Sequence, residues 1–544
     1  MSIQSLQTKL SGLSSHWWFA FAMLLLMAAY SIPMILMEEP GSMHVWRQTD
    51  SLSFARHYYD NGLNPFDSQI FNYAFREHSS AKTMGEFPII YYIVAVLWKI
   101  FGVHHFIYRL LTLLLFLWGL FSIFRLVHAL TASEGWSVFV VALLFTSPAL
   151  VYYAVNFLPD AHAISFAMVG CWCYYLWTQR RSLRQFYFAI LCFTLAALLK
   201  PTAAIPFCVL CCLYGISFFR PFRQSLVLWF PQWKHVLCGA IIIGGLNAAY
   251  LMAVAYYNNN FGGWFTPNTI RPIWMFNHEE IEHYKHDFRY LLVNQAFSRS
   301  VLFLMLGLLV AVVFASWRDN KVLITTVVLS VLGCLGYALL FVGWDHHDYY
   351  LLELVWIPIA VFAAALLLVK NKIPQLLRSR SIAVAALALV IYNVWYCASN
   401  LQMRYRPKAD SQYLHTASLP ETEFFRYHNS QFEQDKAALR TIEPYLESIG
   451  VSDTSKVIAM PDPSGNVSLY LMHRRGYTLS EYDSMDEKIE YLQSRGARFL
   501  VVMSDYFVSD ARFPAQYLRN KIGQFKNVSV YDLQLPVQTN SALQ

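Results

Sequence analysis

Trp17–Met37 runs for twenty-one residues without a charge, and it is the first of many such runs in the chain. A helix rises about 1.5 Å per residue and satisfies its own backbone hydrogen bonds, so about 20 apolar residues suit a hydrocarbon core of about 30 Å. Composition agrees: 56% of residues are hydrophobic, only 14% are charged and the mean hydropathy is +0.37, where soluble domains carry roughly one-quarter charged residues. An α-helical polytopic membrane protein is expected. Trp17–Met37 exceeds the apolar core of a secretory signal, about 7–15 residues, and reads as an uncleaved first span. Further spans are expected at about 105–127, 136–156, 160–178, 186–199, 202–219, 234–257, 299–316, 322–343, 349–369 and 381–401, about eleven transmembrane helices in all.

Lysine and arginine collect on alternate connections. Arg180, Arg181 and Arg184, then Arg220, Arg223 and Lys234, then Arg318 and Lys321, then Lys370, Lys372, Arg378 and Arg380 fall on one side. The opposite short turns, Phe157–Pro159 and Trp344–Asp348, have neither residue. By the positive-inside rule the amino terminus is expected in the cytoplasm and the carboxyl terminus outside, in a multi-pass protein of the cell (inner) membrane. The net charge of +7 is largely accounted for by those loops, so no nucleic-acid partner is inferred. All nine cysteines lie in or beside expected spans, which argues against disulfides and thiolate metal sites.

The expected organisation is a transmembrane portion, 1–401, with outside loops at about 38–104 and 258–298, followed by a small α/β domain, 402–544, outside the membrane in the periplasm. The first loop holds an amphipathic helix near 49–60 and a semi-apolar stretch, 86–102, suited to the interface plane. The second is dense in Asn, Gly, Pro and aromatics, the composition of a binding element or lid. Beyond residue 402, β runs at Val457–Met460 and Phe499–Met503 alternate with helical patterns such as Met485–Ser494.

Ionisable residues near the helix ends gather on the outer side. Asp50 and Glu86 lie in the first loop with Arg47 and His57, Asp160 opens the fourth span, and Lys200 closes the fifth. Asp345, His346, His347 and Asp348 form a tight turn before Tyr349. Polar groups at membrane depth are costly and default to a functional or tightly paired role. Plainer accounts stand beside that one. Asp50 and Asp160 suit helix starts, Lys200 suits a helix end where it snorkels, and Asp345–Asp348 suits a solvated turn. His and Asp together also permit a divalent metal, but without a third spaced ligand no metal site and no cofactor is indicated. One acid among several cations fits transfer of a sugar from a lipid phosphate. The leaving phosphate is stable as an anion and needs only positive groups, while an acceptor hydroxyl needs a base, which a carboxylate supplies.

The motifs WRQTD (46–50), GEFPIIYY (85–92), LPDA (158–161), LLKP (198–201) and HDYYLL (347–352) occur in the order found in the GT-C glycosyltransferases. The chain resembles the bacterial members of that superfamily's dolichyl-phosphate-mannose–protein mannosyltransferase and aminoarabinose transferase branch. The resemblance implies a GT-C-like fold and a polyprenyl-phosphate sugar donor used on the periplasmic or lumenal side, and it carries the catalytic acid of the first loop onto Asp50. Lys200, His346, His347, Tyr349 and Arg47 are then the candidates for the donor phosphate, with Glu86, Asp160, Asp348 and His57 elsewhere in the pocket. Two departures stand out: Asp50-Ser51 replaces the Asp-Glu pair of many relatives, and Glu86-Phe87-Pro88 replaces the aminoarabinose-type Lys-Pro-Pro.

The expected activity is therefore an inverting transfer of a sugar from the polyprenyl phosphate to an envelope glycan, lipid or protein. The rival class is a transporter or flippase of a lipid-linked sugar, which would show interrupted helices, inverted repeats and midplane polar groups; the ionisable groups here crowd one face and no repeat is evident. The stretch PDPSGN (461–466) sits between a strand and a helix, where it reads either as an anion-binding loop or, more simply, as a turn.

Overall fold

The computed structural model describes residues 3–41, 43–73, 80–219, 233–263, 270–316, 320–340, 347–405, 435–480 and 483–534. Among them six helices are long and apolar enough to cross a membrane: His105–Thr131, Trp233–Phe261, Arg299–Ser316, Lys321–Leu340, Asp348–Lys372 and Arg380–Tyr405. A bent pair, Glu134–Leu144 and Pro148–Ala154, makes up to seven. Helix also occupies the other expected spans, as the end of Ile3–Ala29, Pro159–Arg180, Leu183–Leu199 and Ile205–Ile216. Phe303, Phe314, Val384 and Ile391 stay exposed on outer helices, the apolar belt that lipid covers.

Prolines set where the helices break. The expected straight span 136–156 instead turns by 84°. Pro148 has no N–H and its ring clashes with the preceding turn, while Ser147 starts the next helix by accepting the Leu150 N–H at 3.3 Å. The expected helix at 349–369 begins as a 3-10 segment, Asp348–Val355, and becomes α-helical only at Trp356, with Pro358 in the first α-helical turn, where its missing N–H costs least. Lys200 is extended, with φ −154° and ψ 108°, since the following Pro201 disfavours helical backbone before it. The breaks at Lys200 and at Asp348–Val355 each carry an ionisable side chain.

The centre of the bundle is His105–Thr131 packed on Pro159–Arg180, which packs in turn on Leu183–Leu199. At the first crossing a Cβ on Gly119 would lie 3.0 Å from the Ser165 Cα, and at the second one on Gly170 would lie 2.9 Å from the Phe193 ring. Small residues there let the backbones approach as membrane helices require.

The first-loop helix is Val45–Asp60 and starts earlier than expected. Helix Ile89–Phe101 lies against it, with Phe54 stacked on Tyr91 at 5.3 Å between ring centroids and Tyr58 against Tyr92 at 5.9 Å. The carboxyl-terminal unit is a five-stranded sheet of order β2-β1-β3-β5-β4: β1 Lys456–Met460, β2 Gly476–Thr478, β3 Ala497–Val502, β4 Lys521–Phe525 and β5 Val528–Asp532. β1 is parallel to both neighbours, and β5 is antiparallel to β3 and β4. Helix Met485–Ser494 packs Ile489 and Leu492 on Ile458, Leu500 and Val502.

This sheet is stitched to the first loop. The Tyr73 N–H donates to the Gly476 carbonyl at 2.8 Å and the Gly476 N–H to the Phe71 carbonyl at 3.2 Å, a parallel bridge along β2 centred on Asn72. The Asn72 side-chain amide donates to the Gly465 carbonyl. The PDPSGN turn thereby sits on the first-loop helix.

Candidate functional site

His44 caps the first-loop helix in a left-handed backbone conformation, φ 55°, and the Gln48 amide donates to the Gly41 and Met43 carbonyls at 2.8 Å each, pinning the first turn. Asp50 therefore falls in the second turn, so it does not cap the helix; its carboxylate is 2% exposed. Arg47 Nη1 lies 3.9 Å from Asp50 Oδ2, while Nη2 pairs with Glu86. From the carboxyl-terminal unit, Asn466 Nδ2 donates to Asp50 Oδ1 at 3.3 Å. Burial is the main force on Asp50 and pushes its carboxyl up to about 7; Glu86 adds to this, while Arg47 and the Asn466 amide oppose it.

Three neighbours hold Glu86 in place. Asn258 exchanges two 2.8 Å hydrogen bonds with the Met84 backbone, Tyr250 donates to the Gly85 carbonyl at 3.0 Å, and the Phe87 N–H donates to the Leu198 carbonyl at 3.2 Å. The last bond brings the loop alongside Lys200. The Lys200 ammonium is clamped between Asp160, on the first turn of its helix, and Glu353, 2.9 Å away. Thr202 donates to Glu353 at 3.1 Å, and Glu353 Oε2, fully buried, has no hydrogen-bond partner among the described residues.

Tyr349 links the groups. Lys200 Nζ is 5.5 Å from its ring centre and 5.1 Å from that of Tyr350, and the His44 ring stands edge-on to Tyr349 at 5.1 Å. Arg47 and Tyr349 also interact electrostatically. His347 stacks on His44 at 5.5 Å and on Tyr350 at 5.8 Å. Asp348 turns inward, accepting from His44 at 3.2 Å, from Tyr153 and from the buried Arg404, so it is a paired core group and no solvated turn.

Arg47, Asp50, Glu86, Asp160, Lys200, His347, Asp348 and Tyr349 are thus joined, directly or through one neighbour. His346 and Asp345 lie outside the described residues. His57 lies two turns further along the same helix, also at the seam with the sheet, against Asp67 at 3.1 Å, Asn61 at 2.9 Å and Arg475 at 3.0 Å. Burial, then Arg475, lowers its imidazole below the usual range. No group of three His, Cys, Asp or Glu side chains among the described residues is arranged to hold a metal ion.

Four participants escaped sequence reasoning. Glu353 carried a signal, an acid in the otherwise apolar LLELVW, and such residues default to function or pairing. Arg404 reads as an ordinary helix-end cation, and His44 as the start of a loop. Asn466 belongs to PDPSGN, whose turn geometry hides that its side chain leaves the sheet domain. The arrangement offers a buried acid near its own titration point, cations on adjoining elements and aromatic faces between them. That set can take a proton from a hydroxyl and hold an anion.

Residues 85–245 match the family described as dolichyl-phosphate-mannose-protein mannosyltransferase. A comparison with curated proteins returns no match. Among solved structures, ArnT from Cupriavidus metallidurans in the apo state superposes with a TM-score of 0.58 and 11% identity, over 95% of this chain and 98% of that one. The same protein bound to undecaprenyl phosphate gives 0.56 at 11% identity over the same shares. Arabinofuranosyltransferase AftD from Mycobacteria gives 0.51 at 13% identity, over 96% of this chain and 42% of its own length. The chain is accordingly an integral membrane protein with the GT-C fold, similar to mannosyl- and aminoarabinose transferases.

Proposed function

We propose that the protein transfers a sugar from a polyprenyl-phosphate carrier to an acceptor of the cell envelope on the extracytoplasmic face, with inversion. ArnT has been solved with undecaprenyl phosphate, which supports a donor of that chemistry. Asp50 is the base: it takes the acceptor hydroxyl proton from about 3 Å as the new glycosidic bond forms. The bond from the anomeric carbon to the phosphate oxygen breaks with both electrons moving to the phosphate. Lys200, Arg47, His347 and the Tyr349 hydroxyl stabilise the charge there, together with His346, which lies outside the described residues. Asp160 and Glu353 hold Lys200 in place. The cytoplasmic amino terminus follows from the distribution of Lys and Arg, and it puts the site and the sheet domain in the periplasm.

The observation carrying this reading is a buried carboxylate held near neutral titration, with Arg47 beside it and Lys200 brought alongside the Glu86 loop by the Phe87–Leu198 hydrogen bond. The test is turnover of radiolabelled polyprenyl-phosphate sugars by the purified protein in nanodiscs, with envelope lipid as acceptor, beside Asp50→Asn. Transfer by the wild type and donor binding without transfer by the variant are expected. Movement of the intact lipid-linked sugar across the bilayer, with its phosphate bond unbroken, would replace the transferase with a flippase.

A further inference from the structure

The carboxyl-terminal unit reaches the site through one side chain. β1 runs parallel to β2 on one side and β3 on the other, so the chain leaving its carboxyl end enters the place where such sheets usually take a ligand. Here that place holds PDPSGN. Asp462 secures the turn by accepting from the Ser464 and Ser468 N–H groups at 2.9 Å each and from both hydroxyls, with Lys436 4.0 Å away. The fully buried Asn466 is presented to the first-loop helix. Its Nδ2 donates to Ser53 Oγ at 2.8 Å, and its second hydrogen is shared between the Thr49 carbonyl and Asp50 Oδ1, each 3.3 Å away. The orientation of the amide is not arbitrary. The Phe71 N–H can only donate, and it lies 3.3 Å from Oδ1, which leaves Nδ2 for the helix.

We infer that Asn466 is a positioning residue for Asp50: the carboxyl-terminal domain completes the site by aiming one carboxylate oxygen and leaving the other for the acceptor. This rests on Asp50 being the base. Asn466 adds no charge, so it steadies the ionised carboxylate without neutralising it. The groups acting on Asp50 are Arg47 on its own helix, Glu86 on the following loop and Asn466 on the sheet domain; Tyr91 on the neighbouring helix and Tyr108 on His105–Thr131 meet Glu86, Arg47 and Ser51 beside it, and Lys436 stands with Asp462 behind the turn. Loss of the amide removes a donor that favours the charged form.

The test uses the full chain in nanodiscs, with infrared difference spectra across pH 5–9 and Asp50→Asn to assign the carboxyl band. A wild-type band titrating at about 7 is expected. In Asn466→Ala it moves up by about one pH unit, and sugar transfer falls about tenfold or more with little change in donor KM. Asn466→Ser, which keeps a small polar group, is the second variant should Asn466→Ala fail to fold. Arg498→Ala, which breaks the ion pair with Asp532 elsewhere in the sheet domain, leaves the band at its wild-type pH. An Asn466 variant whose band stays put overturns the inference, whether or not sugar is transferred. A band shifted in Asn466→Ala, where the wild type itself transfers no sugar, removes the transferase reading and leaves the contact with Asp50 standing.

Discussion

Asp50 sits where burial and nearby charge oppose one another, and the balance has a direction. Its carboxyl is raised to about 7 by burial, so in the proposed role of base it is competent only above that pH. Transfer is expected to rise through an acid limb near 7, and Asp50→Asn to cut kcat by about 10²–10⁴-fold with donor binding retained. The same shift touches stability. The folded carboxyl binds its proton more tightly than the unfolded one, so between about 4 and 7 the unfolded state alone loses protons and stability falls as pH rises. Asp50→Asn removes that loss; its Tm should exceed wild type at pH 8 by more than at pH 4, and equal differences at the two values would refute the burial argument. Lys200 makes a different case. Removing it leaves Asp160 and Glu353 facing each other, but in the folded fraction the expected defect is weaker donor binding. A destabilised Lys200→Ala with wild-type donor affinity would exclude the phosphate role.

At the scale of elements, helices and strands with a clear apolar period were legible. Met485–Ser494 falls where its pattern placed it, and β1 differs from expectation by one residue. Helix starts were less so. The first-loop helix begins at Val45 because His44 takes a left-handed turn, a tertiary choice fixed by Gln48 and by Asp348 at the other end of the membrane portion. The β4–β5 hairpin was missed because its turn uses Lys526 at φ 54°, with no glycine to mark it. The site was legible as a set of charged residues on one side, but their pairing was not, since partners such as Asp348 and Arg404 are fifty-six positions apart. That pair ties the last long helix to the turn before Tyr349. Replacing Arg404 with Leu strands a buried carboxylate and is expected to cost about 3–5 kcal/mol. Thermal unfolding in detergent should show the loss, and an Asp348→Asn, Arg404→Leu double variant should recover much of it.

Over the whole molecule, the first loop binds both the bundle, through Asn258 and Tyr250, and the sheet, through Phe71, Asn72 and Tyr73. A cysteine at the exposed Ser452 should react with an impermeant thiol reagent added outside intact cells and be shielded from the cytoplasm; the reverse would invert the topology. The bridge at Gly476 has another consequence. An unpaired outer strand is a template for a second chain, and the two margins of this sheet are guarded differently. β4 is flanked by Lys521 and Lys526, charges that discourage such pairing, while β2 is only three residues long and is covered by the first loop. Residues 435–534 produced without the first loop would bare that margin. They should self-associate in a concentration-dependent way, and a peptide spanning 68–73 should suppress it. The membrane portion thereby acts as the chaperone of its own appendage, shielding the strand that would otherwise recruit a neighbour.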